Sequence, residues 1–155
     1  YVDCKQTALH PEGAVALGHH MYQAVQRIEA QVGRKAGGVG GMTLGADPLA
    51  TAVSLAAWHA GRPLPAFIVR KTAKGHGTGA WVEGRRNLPD GTPVIVLEDV
   101  VTTGGTTLKA IDHIREERLV PVGIVCILDR GAGGLDNLRA SGLVVETLFH
   151  VRELT

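Results

Sequence analysis

One segment of the chain, Val94 to Thr107, constrains the fold more than any other, because it passes from a strand directly into a helix. It reads Val-Ile-Val-Leu-Glu-Asp-Val-Val-Thr-Thr-Gly-Gly-Thr-Thr. Its apolar, β-branched start, Val94 to Leu97, is typical of a strand that is covered on both faces. Apolar residues at helical spacing begin right after the glycines. The segment therefore predicts an α/β sheet in which a small-residue turn joins a buried strand to a helix.

Strands and helices alternate along the rest of the chain in the same way. Apolar residues three or four apart predict helices at Pro11 to Val32, Leu49 to Ala60, Thr106 to Arg118 and Leu135 to Ser141. Short apolar runs predict strands at Ala66 to Val69, Val94 to Leu97, Val122 to Leu128 and Leu143 to Leu148. This order predicts a single domain, residues 1–155, built on an open, mainly parallel, twisted sheet flanked by helices. Ligands of such a sheet collect at the carboxyl ends of its strands.

The composition of the whole chain limits the classes of partner. The 155 residues carry a formal net charge of +1, which gives no support for a nucleic-acid partner. Cys4 and Cys126 are too few for a disulfide framework, and no Cys-x-x-Cys or His-Glu-x-x-His spacing indicates a metal centre. The longest apolar run, Leu119 to Leu128, is about half the length that crosses a bilayer. We therefore expect a soluble, cytoplasmic protein with no membrane partner.

The turn after the strand predicts a site for an anion. Its N–H groups and hydroxyls lie at a helix amino terminus, where the macrodipole, equivalent to about +0.5 charge, attracts negative groups. These residues are Thr102, Thr103, Gly104, Gly105 and Thr106. Glu98 and Asp99 would repel a phosphate, so we expect them to face vicinal hydroxyls, a metal, or both. A phosphorylated ribose supplies both kinds of group; the alternative is an ordinary loop with capping threonines.

A second candidate region, Arg70 to Gly79, has no periodicity and is rich in cations and glycine. Its basic and imidazole side chains are those of Arg70, Lys71, Lys74 and His76. Together they can neutralise a group with several negative charges, and the glycines would let the segment close over pyrophosphate as a mobile lid. The alternative is a solvated basic loop.

Two further features lie where the predicted sheet would meet a ligand. The glycine-rich passage Gly37 to Gly45 is predicted to be a loop that leads to a helix capped by Asp47. The N–H groups of Gly40 to Asp47 can bind the same diphosphate, and a purely structural role is the alternative. Arg130 follows Asp129 at the end of a buried strand. There it can clamp a carboxylate in a bidentate manner, or form a surface ion pair.

Four segments of the chain carry a resemblance to a known family, and they occur in the same order as in that family. The segment Glu98 to Thr106 resembles the phosphoribosyl-diphosphate (PRPP) signature of type I phosphoribosyltransferases. Val69 to Gly77 resembles the mobile catalytic loop of the orotate phosphoribosyltransferases within that family. Leu128 to Arg130, followed by Gly133 and Gly134, resembles their orotate-carboxylate strand end, and Tyr1 to Asp3 the tail of their amino-terminal substrate segment.

The resemblance implies a reaction and a set of site residues. The reaction is transfer of the 5-phosphoribosyl group from PRPP to orotate, giving orotidine 5′-monophosphate and pyrophosphate in pyrimidine synthesis. The implied PRPP-binding residues are Arg70, Lys71, Lys74, His76, Glu98, Asp99, Val100, Val101, Thr102, Thr103, Gly104, Gly105 and Thr106. Thr102 and Arg130 are implied to contact orotate, and Lys74, His76 and Asp99 to be catalytic. Glu98 and Asp99 would also hold Mg²⁺ indirectly, in a homodimer whose subunits share their active sites.

The chain also departs from the family pattern. Most of the family's amino-terminal segment is absent before Tyr1, and Gly45 stands where many members carry a lysine. Two alternatives therefore stay open. One is a phosphoribosyltransferase for another base, because the strongest motif reports PRPP and not the base. The other is a non-catalytic PRPP-binding regulator that kept the ligand turn and lost the chemistry.

Overall fold

The predicted open, mainly parallel sheet is confirmed by the computed structural model, which describes residues 2–75 and 80–154. The strands are β1 (Gly38–Met42), β2 (Ala66–Lys74), β3 (Ala80–Glu83), β4 (Pro93–Val101), β5 (Val120–Asp129) and β6 (Val144–His150). Their spatial order is β3-β2-β1-β4-β5-β6, and every neighbouring pair is parallel except β2 and β3. The carboxyl ends of β1, β4 and β5 therefore lie side by side at one edge.

Helices cover both faces of this sheet. They are α1 (Lys5–Ala8), α2 (Pro11–Val32), α3 (Asp47–His59), α4 (Gly105–Glu116) and α5 (Gly134–Arg139), with 3₁₀ turns at Arg85–Asn87 and Val151–Leu154. One core lies under α2 and α3, and a second lies under α4 and α5. Within the described ranges, no helix is both long and apolar enough to cross a membrane.

Strand β4 shows why its sequence reads as continuously apolar. Ile95 and Leu97 point into the core under α2 and α3, whereas Val94 and Val96 point into the core under α4 and α5. Successive side chains of a strand face opposite sides, so a strand between two helical layers needs apolar residues at every position. The predicted burial on both faces is confirmed.

The glycine-rich passage was wrongly predicted to be a loop, because most of it is the fully buried strand β1. A Cβ atom on Gly40 would lie 2.2 Å from the carbonyl oxygen of Phe67, and one on Gly41 would lie 2.1 Å from that of Leu97. Close approach of the neighbouring strands therefore excludes larger side chains. The missing side chains also remove the period-two pattern by which a strand is recognised.

Two strands run further than their apolar runs indicate. Strand β4 continues through Glu98 and Asp99 to Val101, so both acids lie within the strand and not after it. Strand β2 continues through Arg70 to Lys74 and pairs antiparallel with β3, so these five residues of the predicted basic loop lie in a strand. Backbone pairing with a neighbouring strand extends both, and polar side chains at an edge do not reveal such pairing in the sequence.

Candidate active site

The threonine-glycine turn, Thr102 to Thr106, lies where β4 ends and α4 begins, as predicted. Gly104 has a φ of 89°, which places it in the left-handed region and lets helix α4 start at the next residue. A small cavity of about 40 Å³ lies against residues 100–107 and Glu98. The first N–H groups of α4 have no partners inside the helix and face this side of the turn. The turn can therefore hold a small anion such as a phosphate group.

The two acids beside the turn have different surroundings. Glu98 is buried, with 6% of its surface exposed, and its Oε2 accepts a hydrogen bond of 2.9 Å from the Thr107 hydroxyl. Burial, reinforced by a hydrogen bond and charge from Asp99, raises the pKa of Glu98 to about 8. At neutral pH the Glu98 carboxyl is therefore mostly protonated. Asp99 lies nearer the surface, and its Oδ1 accepts a hydrogen bond of 2.8 Å from the Val100 N–H.

Asp99 is the point at which three separate parts of the chain meet. The ammonium group of Lys5, in α1, lies 3.6 Å from Asp99 Oδ2. From the opposite side, Gly45 in the β1–α3 loop packs so closely that a Cβ there would lie 2.6 Å from Asp99 Oδ1. Lys5 was not predicted as a site residue, because nothing in the local sequence of α1 indicates where its side chain ends.

The β1–α3 loop differs in one detail from the prediction. The side chain of Asp47 does not cap α3, whose amino-terminal flanking residue is Ala46. Instead, the Thr43 hydroxyl donates a hydrogen bond of 2.7 Å to Asp47 Oδ2. The carboxylate thus stabilises the loop itself. The passage that can meet a ligand is shortened to residues 43–46, between the end of β1 and the start of α3.

Arg130 lies directly beside the turn, at the end of β5. Its backbone N–H donates a hydrogen bond of 2.9 Å to the carbonyl oxygen of Val101. The preceding residue, Asp129, accepts one hydrogen bond of 3.0 Å from the Gly131 N–H, and its Oδ2 lies 3.0 Å from His150 Nδ1. Sequence reasoning gave His150 no role, since its partner comes from the neighbouring strand. These contacts fix the backbone that carries Arg130.

A cavity of about 500 Å³ opens on the far side of Arg130, between α5 and the end of β6. Its lining includes Arg130, Arg139, His150 and Asp136, so it is polar and mixed in charge. The side-chain amide of Asn137, in α5, donates a hydrogen bond of 2.8 Å to the carbonyl oxygen of Thr103. Helix α5 thus braces both the cavity and the threonine-glycine turn.

The basic hairpin, formed by β2 and β3, carries the predicted cations. Arg70 Nη1 lies 3.0 Å from Glu83 Oε1, and Lys74 Nζ lies 4.0 Å from the same oxygen. Lys71 and Lys74 are exposed. His76 lies outside the described residues. The structure thus brings Arg70 and Lys74, on β2, together at Glu83 of β3. The threonine-glycine turn and Arg130 form a separate group at the ends of β4 and β5.

Strand β3 of the basic hairpin is attached to α4. The ring of Trp81 stacks on His113, with ring centroids 3.6 Å apart. The backbone N–H of Trp81 donates a hydrogen bond of 2.7 Å to Glu117 Oε1. Stacked rings and a charged acceptor hold β3 against the helix that starts at the turn. Strand β2, which carries Arg70 and Lys74, pairs with this attached strand.

Comparison with known proteins gives a consistent family. The family described as "Phosphoribosyl transferase domain" matches residues 15–141. An orotate phosphoribosyltransferase from Nostoc sp. is 44% identical over 154 residues, which cover 99% of this chain and 71% of the relative. One from Sorangium cellulosum is 45% identical over 156 residues, covering 99% of this chain and 77% of the relative.

Solved structures give the same result at the level of the fold. Orotate phosphoribosyltransferase from Mycobacterium tuberculosis in complex with PRPP is similar with a TM-score of 0.82 and 33% identity, covering 100% of this chain and 83% of that chain. An adenine phosphoribosyltransferase from Thermoanaerobacter pseudethanolicus has a TM-score of 0.72 at 15% identity, covering 97% of this chain and 87% of that chain, which shows a shared fold alone.

Proposed function

This chain belongs to the orotate phosphoribosyltransferase family, and we propose that its sheet edge transfers the 5-phosphoribosyl group of PRPP to orotate. The products are orotidine 5′-monophosphate and pyrophosphate, in pyrimidine synthesis. One observation carries the proposal. The threonine-glycine turn, Asp99 and Arg130 lie on adjoining strand ends, and a backbone hydrogen bond joins Arg130 to Val101. Sites for a phosphate, a ribose and an acidic base are thus side by side.

The 5′-phosphate of PRPP is assigned to the threonine-glycine turn. The free N–H groups at the start of α4 and the hydroxyls of its threonines would donate hydrogen bonds to the phosphate oxygens. Val101 has a buried side chain, so it would contribute through its backbone, and the half-buried Val100 borders the same cavity. Thr102 lies at the border between this phosphate and the base.

The ribose hydroxyls are assigned to the acid pair. The partly exposed Asp99 carboxylate would contact the hydroxyls. The buried Glu98 would support the site indirectly, through its hydrogen bond with Thr107. Mg²⁺ binds through one or two carboxylates together with substrate oxygens and water. No group of three or more metal-binding side chains occurs in the described part of the chain. We assign Glu98 and Asp99 an indirect role in holding the ion. When bound, Mg²⁺ would neutralise charge on the diphosphate.

The chemistry requires positioning and charge, not a covalent protein nucleophile. The bond between ribose C1 and pyrophosphate breaks, and orotate N1 bonds to C1. Positive charge develops on the ribose and negative charge on the leaving group, so preorganised cations lower the barrier. We assign that role to Arg70, Lys71, Lys74 and His76. Thr102 and Arg130 would hold orotate, with the Arg130 guanidinium on its carboxylate.

The basic side chains are expected to act across a homodimer. Val15 and Leu55 line an apolar groove between α2 and α3, and Trp58 lies nearby with 64% of its surface exposed. Exposed apolar surface of this kind is typical of a protein interface. The molecular mass in solution tests the dimer.

A cytoplasmic location stays a prediction, which the unpaired Cys4 and Cys126 support.

A direct assay tests the proposed reaction. The protein is incubated with PRPP, Mg²⁺ and orotate, and the loss of orotate absorbance is followed beside reactions with adenine, hypoxanthine or uracil. We expect turnover with orotate and with none of the other three bases. Turnover with another base would indicate a different phosphoribosyltransferase. PRPP binding without turnover on any base would indicate a non-catalytic regulator.

A further inference from the structure

Lys5 reaches the active site from a part of the chain to which no role has been assigned. Its ammonium group lies 3.6 Å from Asp99 Oδ2, and the Asp99 side chain is only 15% exposed. An ion pair between two solvated side chains contributes little, but this one has its acidic partner inside the cleft. The pair therefore places a fixed positive charge next to the residue that faces the ribose.

The position of Lys5 is defined by its own segment. The Lys5 N–H donates a hydrogen bond of 3.0 Å to Asp3 Oδ1, which starts helix α1. Ala8, at the end of α1, is buried in the core, and Val2 and Cys4 pack against the same core. These contacts do not involve the basic hairpin. Lys5 is thus held at the acid pair independently of the cations on β2.

The charge of Asp99 creates a problem that Lys5 can solve. The carboxylate packs against Gly45 of the β1–α3 loop, on the side where the diphosphate is expected. The Asp99 carboxylate and a diphosphate bound beside it would repel each other strongly, because the site is partly buried. A cation on the carboxylate reduces this repulsion and also holds the carboxylate in one orientation.

We infer that Lys5 is a positioning residue for PRPP binding, which orients Asp99 toward the ribose hydroxyls and offsets its charge against the diphosphate. The inference rests on the proposed function, because it requires PRPP at this edge. It assigns Lys5 itself a part in the reaction that the local sequence of α1 does not reveal. Lys5 acts through Asp99, and the reacting atoms are contacted by other residues.

Two variants of Lys5 and one matched control test the role. Lys5→Gln removes the charge, Lys5→Arg keeps it, and Lys35→Gln removes an exposed lysine charge near the amino ends of the strands, at the opposite edge. Titration calorimetry with PRPP and Mg²⁺ should show a roughly tenfold higher Kd for Lys5→Gln, as for loss of one charged contact. Lys5→Arg should stay within about threefold of wild type, and Lys35→Gln should match it.

Kinetics separates positioning from general structural damage. The Lys5→Gln variant should show a raised KM for PRPP, an orotate KM within about twofold of wild type, and an effect that shrinks at high salt. In an Asp99→Asn background, the same substitution should change PRPP affinity much less, because the two residues act as a unit.

The outcomes distinguish this inference from the proposed function. If wild-type protein fails to bind PRPP, both are overturned. If wild type binds PRPP and Lys5→Gln binds it equally well, only the role of Lys5 is overturned. Equal increases in both substrate KM values, or a loss in Lys5→Arg as large as in Lys5→Gln, would likewise reduce Lys5 to a structural residue.

Discussion

The threonine-glycine turn and the basic hairpin carry the two halves of the proposed site, and they are built in opposite ways. The turn follows β4, which lies between β1 and β5 in the middle of the sheet. The hairpin contains β3, the strand at the edge, and its lysines are exposed. Groups in the middle of a sheet are held from both sides, whereas edge groups have fewer contacts and open at lower free energy.

The difference fits the two tasks. A 5′-phosphate stays on the sugar throughout the reaction, so a rigid site can bind it before and after transfer. A leaving diphosphate must be gripped during bond breaking and then released, which suits cations on a less constrained element. In this structure the cations Arg70 and Lys74 pair with Glu83 instead. Substitutions in each of the two regions test this division.

Removing a hairpin cation should affect turnover most. We expect Lys74→Ala to lower kcat by a factor on the order of 10² to 10³, as for loss of one transition-state charge contact, with a much smaller change in orotate KM. Steady-state assays with each substrate varied in turn measure both quantities. Lys35→Ala is the control, since Lys35 is also an exposed lysine. An unchanged kcat would exclude a catalytic role for Lys74.

Removing Arg130, the arginine assigned to the base, should weaken the binding of orotate. We expect Arg130→Ala to raise the orotate KM by about 10- to 100-fold, the range for a lost charged hydrogen bond, while the PRPP KM stays near wild type. Arg139→Ala is the matched control, because Arg139 is exposed and lines the same cavity. Equal increases in both KM values would mean that Arg130 has been misassigned.

Rigidity of the turn can be tested with two neighbouring glycines. Gly104 has a φ of 89°, and a Cβ there would lie 3.2 Å from the Leu138 side chain. Gly104→Ala should therefore lower the free energy of unfolding by about 1–2 kcal/mol. At Gly105 the nearest atom would be 3.8 Å from a Cβ, so Gly105→Ala should leave stability almost unchanged. Denaturant unfolding of both variants checks this contrast; equal losses would contradict it.

The buried acid behind the turn should make stability depend on pH. The pKa of Glu98 is raised to about 8, so the folded state keeps a proton that the unfolded chain has released. This contribution to stability is complete below the ordinary glutamate pKa and is lost as the pH rises toward 8. The loss of stability should approach about 1.4 kcal/mol per pH unit at most, and Glu98→Gln should flatten it.

Denaturant unfolding at pH 5 to 8, without magnesium, measures this dependence. Glu83→Gln is the control, because it removes a carboxyl of comparable size from the exposed hairpin. We expect that variant to keep the wild-type slope. Parallel curves for wild type and Glu98→Gln would show that burial does not hold the proton on Glu98.

The sequence predicted features formed within one short segment, and it missed contacts between segments that are distant in the chain. The placement of the threonine-glycine turn between β4 and α4, and of Arg130 after β5, was predicted because strand, turn and helix follow one another within short segments. Strand β1 was missed because its glycines carry no periodic side chains, and β3 because a four-residue edge strand has too short a pattern. Lys5, in helix α1, and His150, on β6, meet their partners only in the folded chain, and neither local sequence encodes those contacts.

Helix α5 also bears on how the base preference of such a site can be changed. Asn137 holds the carbonyl oxygen of Thr103, and the Arg130 N–H holds that of Val101, so base-side and phosphate-side peptides share hydrogen bonds. Backbone insertions near Arg130 would disturb the phosphate turn as well. Redesign for a different base is therefore best confined to side chains, with the length of the β5–α5 connection kept unchanged.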